Sequence, residues 1–193
     1  MKKMRKKVKK QKYQIDQSGK IEQTNKDTII AYSNGNQRAI CIPRRLKRKI
    51  QEVFRMHGFV SLFNYYLFAV GVYYLISNFK QKTEIIIDLE YPEKDRIIKS
   101  FIESFLNKFN KPEHNISFAR IGNRPRAHYA AKDVFDKKRD ANINLSLGDI
   151  IRALKKTDGR LRECLSTLVD VRSRPLKIKY HKKGQKSRRK KYF

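Results

Sequence analysis

The chain has 193 residues, which is enough for one domain with a hydrophobic core, and 39% of them are hydrophobic. Its 47 Lys and Arg residues against 18 Asp and Glu residues give a net charge of +29, which exceeds what solubility requires and predicts a polyanionic partner. Its two cysteines, Cys41 and Cys164, exclude a disulfide framework and a cysteine-rich zinc site.

The basic residues are concentrated at the two ends of the chain. Eight of residues 1–12 and eleven of residues 171–193 are Lys or Arg, and neither segment contains an acid. We therefore expect a disordered basic arm over 1–12 and a basic tail over 172–193, both ordering on phosphates. Between them we expect a folded core over 13–138 and a helical extension over 139–171.

Three strands are predicted at the start of the core, over residues 13–22, 27–33 and 38–42. The first bends at Gly19, and the dipeptide Asn34-Gly35 is typical of the tight turn that joins two antiparallel strands. Asp16 stands in the middle of the first strand, where an acid is locally disfavoured. An antiparallel meander with one acid in its first strand is therefore expected.

Two helices follow the meander. Pro43 suits a first helical turn, and the apolar residues after it recur at helical spacing, with a basic opposite side. Residues 56–79 contain no Asp, Glu, Lys or Arg and are long enough to span a bilayer. Because this segment contains Asn, Ser and several Tyr residues, and has basic residues on both sides, a buried helix over 61–79 is favoured over a membrane span.

The segment 83–92 is the central feature of the sequence. Three consecutive isoleucines before a proline predict a strand buried on both faces, as in a parallel sheet. Asp88 and Glu90 follow at its end, and side-chain alternation puts both on one face. Two carboxylates so placed can share a cation or raise each other's pKa, although a solvated strand end remains the alternative.

The rest of the core is predicted as a helix from Pro92 to Phe109, a strand over 116–121 and a helix from Pro125 to about Lys138. Residues 139–145 are predicted as a loop. Ser146 is a typical N-cap for a short helix to Leu154, and a last helix is expected over 161–171.

This order of elements resembles the ribonuclease H-like fold, a superfamily that includes RuvC-type junction resolvases. The resemblance covers residues 13–138 and implies an α/β fold. Its five-stranded mixed sheet combines a three-strand antiparallel meander with two parallel strands, and has helices on both faces. Members carry one acid in the middle of the first strand and one at the end of the fourth, which here implies Asp16 and Asp88, with Glu90 beside it. Asp16-Gln17-Ser18-Gly19 also resembles the Asp-x-Ser-Gly opening of a group of proteins thought to share this fold.

The last helix of the core departs from the family pattern. RuvC-like enzymes place His and Asp three residues apart there, whereas the residue three positions after His128 is Ala131. The nearest acids are Asp133 and Asp136, and His128 lies about 140° around an ideal helix from Asp133. Either His128 or Asp133 can therefore complete the site, but both cannot readily point at one metal ion.

The resemblance implies a nuclease that hydrolyses phosphodiesters in structured DNA or in an RNA-containing duplex with two metal ions, Mg²⁺ or Mn²⁺. The candidate catalytic residues are Asp16, Asp88, Glu90, His128 and Asp133, with Asp16, Asp88 and Asp133 as metal ligands. The candidate nucleic-acid-binding residues are Arg44, Arg45, Lys47, Arg48, Arg124, Arg126, Lys182, Lys183, Arg188 and Arg189.

Two further hypotheses stay open. One is a non-catalytic protein that binds DNA or RNA on the same fold, such as a ribonucleoprotein component, which the basic tails favour. The other is a membrane-embedded basic protein, which depends on residues 56–79 alone. We expect a cytoplasmic or nucleoid-associated location, and the sequence leaves the oligomeric state open, a homodimer included.

Overall fold

The computed structural model describes residues 12–122, 125–157 and 159–173. Its elements are, in chain order, β1 (Lys12–Ser18), β2 (Thr28–Ser33), β3 (Gln37–Ile42), α1 (Arg44–Met56), α2 (Phe63–Ile76), β4 (Glu84–Asp88), α3 (Asp95–Lys108), β5 (Asn115–Ala119), α4 (Arg126–Phe135), β6 (Ile143–Asn144), α5 (Leu147–Lys155) and α6 (Cys164–Ser173). Short 3-10 turns, Val60–Leu62 and Gly159–Glu163, precede α2 and α6.

The strands form one mixed sheet in the order β5-β4-β1-β2-β3-β6. β1, β2 and β3 pair antiparallel, whereas β4 pairs parallel with β1 and β5 pairs parallel with β4. The α/β class with a mixed sheet is therefore confirmed.

The predicted number of five strands is wrong, because β6 adds a sixth strand beside β3 inside the segment 139–145 predicted as a loop. It pairs parallel to β3 through Ile40 with Ile143 and Cys41 with Asn144. A strand of two residues is too short to show the alternation of polar and apolar residues on which strand prediction depends.

The two faces of the sheet are covered by different helices. Ile29 and Ala31 of β2 pack with Ala130, Ala131 and other residues of α4, whose small side chains allow the helix to lie close to the strands. The opposite face carries the larger core, which includes the residues of α1, α2, α3 and α5. Because α4 contacts β1, β2 and β3, it lies over one half of the sheet.

The apolar segment after α1 forms a core helix. Eleven of the fourteen residues of α2 are buried, among them Gly71, which lies against Ile30 and Ile42 of the sheet. Among the residues that the structure describes, no helix is long and apolar enough to cross a bilayer. The α2 helix thus packs on the face of β2 and β3 opposite to α4.

The strand β4 differs from its prediction in one respect that matters for the site. Ile85 and Ile87 are fully buried against the larger core, but Ile86, on the face of α4, is half-buried. Burial on both faces was therefore the wrong interpretation of the isoleucine run. The face of β4 that carries Asp88 remains partly open to solvent.

Candidate metal and nucleic-acid site

The parallel pairing of β1 with β4 brings the two predicted strand acids together. Ile15 pairs with Ile87, so Asp16 and Asp88, each one residue further along, lie side by side. Both isoleucines point into the larger core, and alternation therefore turns the two aspartates to the face covered by α4. The pairing of these two strands thus brings together two residues that are 72 positions apart in the sequence.

Glu90 completes a cluster of three carboxylates, which we call the acid cluster. One ligand oxygen from each of Asp16, Asp88 and Glu90 lies within 4.8 Å of the other two. Asp16 is only 5% exposed, whereas Asp88 and Glu90 are half-buried. A tight turn, in which the Glu90 N–H donates to the Asp88 carbonyl at 2.9 Å, returns Glu90 towards the strand end.

Backbone amides and one histidine hold the two aspartates. The N–H of Gln17 donates to Asp16 Oδ1 at 2.6 Å, and the N–H of Ile121 donates to Asp88 Oδ1 at 3.0 Å. His128 Nδ1, from the first turn of α4, lies 3.2 Å from Asp16 Oδ2. These contacts fix the orientation of both carboxylates before any ligand arrives.

Helix α4 brings His128 to the acid cluster and keeps Asp133 away from it. The Asp133 carboxylate lies on the outer side of α4, where its Oδ1 is 3.7 Å from Lys138 Nζ, and its side chain is 43% exposed. Asp136 pairs with Lys132 at 2.9 Å on the surface. Of the two residues that the sequence offered, the structure therefore brings His128 and not Asp133 to the acid cluster, as the angle between positions 128 and 133 on a helix leads one to expect.

Burial and mutual repulsion disfavour the charged form of the cluster. Burial, together with the charges of Asp16 and Asp88, raises the pKa of Glu90 to about 7, and the neighbouring Gln17 side chain offsets part of this rise. Burial also raises the pKa of Asp16 above its ordinary value, while the Gln17 N–H and His128 act in the opposite direction. A bound cation would remove this penalty by compensating the clustered charge.

The predicted nucleic-acid-binding residues divide into three groups. Arg44, Arg45 and Arg48 of α1 and Arg126 of α4 are exposed and can reach a phosphate. Lys47 is fully buried, and its inclusion in that set was wrong. Other members of the set lie outside the described residues, namely Arg124, Lys182, Lys183, Arg188 and Arg189.

Lys47 has a structural role inside the fold. Its Nζ donates to the carbonyl oxygens of Lys20 and Gln23, at 3.0 and 2.9 Å, and to Thr28 Oγ1 at 2.8 Å. Burial lowers the pKa of Lys47 to about 8. The lysine thus anchors the loop between β1 and β2, and its place among the buried positions of α1 follows from helical spacing with Ile50 and Phe54.

Sequence reasoning missed two contributors to the acid cluster. The Gln17 side chain lies near enough to Glu90 to lower its pKa, although neither of its buried polar atoms has a hydrogen-bond partner among the described residues. The Ile121 N–H is a backbone donor, which has no signature in the sequence. Both contacts depend on how the loops after β4 and β5 fold. The only sequence signal for either was the place of Gln17 within the Asp-x-Ser-Gly segment.

The donor set of the acid cluster suits a hard divalent cation. Carboxylate oxygens are the preferred ligands of Mg²⁺ and Mn²⁺, and the nearby imidazole is a tolerated additional neighbour. Thiols contribute nothing, since Cys164 is buried elsewhere in the core and Cys41 lies on β3. The residues present therefore fit a magnesium or manganese ion better than zinc.

Comparison of the chain with models of protein families, with curated protein sequences and with solved structures finds no match. The geometry of the site is consequently the basis for its functional interpretation.

Proposed function

We propose that the protein is a metal-dependent nuclease of ribonuclease H-like type that hydrolyses phosphodiesters in structured DNA or in an RNA-containing duplex. The observation that carries this proposal is the acid cluster, in which three carboxylates converge at the ends of adjacent parallel strands of a strongly basic protein. A basic protein gains nothing for folding from concentrating buried acids at one point, so the cluster has a ligand-binding use.

The topology supports the assignment to this superfamily. The resemblance expects an antiparallel meander of three strands, a fourth strand beside the first, and acids in the middle of the first and at the end of the fourth. β1 is bordered by β2 on one side and by β4 on the other, and Asp16 and Asp88 occupy those two positions.

The acid cluster would hold the metal through Asp16, Asp88 and Glu90. Bound Mg²⁺ or Mn²⁺ supplies a lowered pKa for a water nucleophile and charge neutralisation at the phosphate. Hydrolysis forms a bond between the water oxygen and phosphorus and breaks one phosphorus–ester bond, with a proton passing to the leaving oxygen. His128 Nδ1 keeps Asp16 oriented, because the two groups are in hydrogen-bonding distance.

A substrate backbone has an open route to the acid cluster. On the face of Asp88, Ile86 is half-buried and Ser117 and Ala119 of β5 are exposed, because α4 packs over β1, β2 and β3. The opening therefore lies on the β4 and β5 side of the cluster. Arg126, at the start of α4, is exposed near the same end of the sheet and can contact a phosphate without reading sequence.

The second candidate function is nucleic-acid binding without catalysis. The net charge of +29 supports binding on its own, and the described part of the chain brings three carboxylates together rather than the four or more that hold two metal ions most firmly. This alternative predicts binding that weakens steeply with salt and is indifferent to divalent ions.

Cleavage of defined substrates separates the two functions. Purified protein should cleave one or more of branched DNA, RNA·DNA hybrid and double-stranded RNA in Mg²⁺ or Mn²⁺ and not in EDTA. Asp16→Asn and Asp88→Asn should abolish cleavage but keep binding, because each removes one charge and retains the shape of the side chain.

Asp133→Asn is the matched control for these variants, since it removes the same charge from the outer side of α4 without touching the acid cluster. It should retain the activity of the unmodified protein. His128→Ala should lower the rate by about 10- to 100-fold, as expected for a residue that orients a ligand. Full cleavage by both Asp16→Asn and Asp88→Asn would refute the site, and binding without any metal-dependent cleavage would favour the second function.

A further inference from the structure

A basic groove lies beside the last turn of α4, whereas the acid cluster lies beside its first turn. It has a volume of about 510 Å³ and is formed by the start of β2, the end of β3, the last turn of α4 and the segment leading to β6. β3 and β6 run parallel to β1, so the groove opens at the same edge of the sheet as the acid cluster. Its walls carry four cationic side chains, Lys26, Arg44, Lys137 and Arg139.

The cations of the groove are not neutralised by the acids that also line it. Asp27 and Asp140 are the two acids, which leaves a net charge of +2 among the charged lining residues. The Asp27 carboxylate accepts a hydrogen bond of 2.7 Å from the backbone N–H of Arg44, and not from its guanidinium. Within the part of the chain that the structure describes, Arg44 and Lys137 have no acidic partner within 4 Å.

Arg139 adds an unsatisfied donor to the wall. Its Nη1 donates to Gln37 Oε1 at 2.6 Å, whereas its Nη2 is shielded from solvent and has no hydrogen-bond partner among residues 12–122, 125–157 and 159–173. An unpaired guanidinium donor costs free energy, and an anion that enters the groove can supply the missing acceptor.

The lining of the groove also includes apolar side chains. The Phe135 ring forms one side, where it packs against Gly19, and the half-buried Cys41 forms part of the floor. Burial raises the pKa of the Cys41 thiol to about 11, so the thiol itself adds no negative charge at neutral pH. Cations and an aromatic ring lining one groove suit a phosphate joined to a flat organic group.

We propose that this basic groove binds a phosphate of the nucleic-acid backbone while another phosphodiester of the same molecule occupies the acid cluster. Phe135, at the groove, comes seven positions after His128, at the acid cluster, which is a rise on the order of 10 Å along the helix. A nucleic-acid molecule that crosses the end of α4 can therefore reach both places. The proposal rests on the proposed function only in naming nucleic acid as the polyanion. A free mononucleotide carries the same phosphate group, so the experiment compares the two ligands.

Alkylation of Cys41 reports occupancy of the groove directly. Cys164 is fully buried, so in the folded protein a thiol reagent reacts first with Cys41. The measurement uses the full chain with Asp16→Asn in EDTA, so that cleavage plays no part. A duplex oligonucleotide at ten times its Kd should slow Cys41 alkylation by about tenfold, because only the free protein reacts. Inorganic phosphate and a nucleoside monophosphate at the same concentration should leave the alkylation rate unchanged.

Removal of two groove cations tests the charge argument. Arg44→Gln with Lys137→Gln should abolish protection of Cys41 and lower the slope of log Kd against log salt by about 1.4 to 1.8. The matched control is Lys80→Gln with Lys111→Gln, which removes the same charge near the amino ends of β4 and β5, at the opposite edge of the sheet. The control pair should leave Cys41 protection intact.

Three results would overturn the proposal. A bound oligonucleotide could leave the Cys41 alkylation rate unchanged, or the groove variant and the control variant could show equal loss of affinity and equal protection of Cys41. The third is full protection of Cys41 by the mononucleotide alone. The outcome is separate from that of the nuclease assay. Protection of Cys41 by an oligonucleotide, in a protein that cleaves nothing, would support the groove and refute the nuclease.

Discussion

Glu90 should make the metal-free protein less stable as the pH rises, and Glu90→Gln should remove this effect. The surroundings raise the pKa of Glu90 from 4.5 to about 7, mainly by burial. Between these two values the folded protein holds a proton that the unfolded chain has released. The stabilising contribution of the protonated side chain is therefore complete below about pH 4.5 and is lost as the pH rises through about 7.

The magnitude follows from the difference between the two pKa values. Each pKa unit corresponds to about 1.4 kcal/mol, so the difference of about 2.5 units sets an upper limit of about 3.5 kcal/mol. Because the Glu90 side chain is only half-buried and solvent screens its charge, we expect about 1 to 2 kcal/mol to be lost between pH 5 and pH 8. Mg²⁺ should restore this stability at pH 8, since binding to the folded state alone raises the free energy of unfolding.

Urea unfolding at pH 5 and pH 8, in EDTA and in Mg²⁺, measures these quantities. Glu93→Gln is the matched control, because Glu93 lies three residues away, is exposed and belongs to no carboxylate group near the cluster. Glu90→Gln should reduce the loss of stability between the two pH values, and should gain less from Mg²⁺ than Glu93→Gln. An unchanged pH dependence in Glu90→Gln, or full stabilisation of that variant by Mg²⁺, would contradict the assignment of Glu90 to the cluster.

Two other substitutions test the support of the site, both by urea unfolding. Gly19→Ala should lower the free energy of unfolding by about 2 to 4 kcal/mol. Gly19 has a φ of +75°, and an added Cβ would lie 2.5 Å from the Asp27 carbonyl and 2.6 Å from the Phe135 ring. Wild-type stability of this variant would contradict the prediction. Lys47→Met should lower the free energy of unfolding by about 2 to 4 kcal/mol, because it removes the buried donor of three hydrogen bonds, whereas Arg48→Met, on the exposed side of α1, should change stability by about 0.5 kcal/mol or less. Equal effects from these two variants would refute the role of Lys47.

The long-range pairing of Asp16 with Asp88 could be predicted because two local signals agreed. An acid in the middle of one strand and an acid at the end of another are each ambiguous, but the element order indicated that the two strands are neighbours. The pairing of Ile15 with Ile87 then fixes the side on which both acids lie. Register is strongly specified in buried strands, because a slip of one residue would turn the core side chains outward.

The third partner could not be chosen from the sequence, because helical spacing alone does not show which side of α4 faces β1. Ala130, Ala131 and Val134 decide this by packing against the sheet, and the resulting rotation of the helix turns His128 to Asp16 and Asp133 to the surface. Glu90, by contrast, was placed at the site from its alternation with Asp88, although the structure brings it there by another route. It depends on a turn after β4 rather than on the strand itself.

Lys47 shows a different limit of composition-based reasoning. Six basic residues of α1 appear equivalent as a charged surface, yet Lys47 shares the buried side of the helix with Ile50 and Phe54. Its amine is retained inside the protein because three oxygen acceptors of the β1–β2 loop meet it there. A count of charges predicts a binding surface, whereas helical position decides which charges belong to it.

The opposite charges of the acid cluster and its surroundings imply that metal and nucleic acid strengthen each other's binding. The basic groove and the exposed arginines attract a phosphate backbone, but the carboxylates of the acid cluster repel the phosphate that comes closest to them. A divalent ion removes that repulsion, and linkage requires the bound phosphate to raise the affinity for the ion by the same factor. Titration of Mn²⁺ into the Arg44→Gln/Lys137→Gln variant should still show Mn²⁺ binding at the acid cluster. The increase in Mn²⁺ affinity that an oligonucleotide causes should be lost when Asp88 is replaced. An increase of equal size in Asp88→Asn would show that the coupling arises elsewhere on the basic surface.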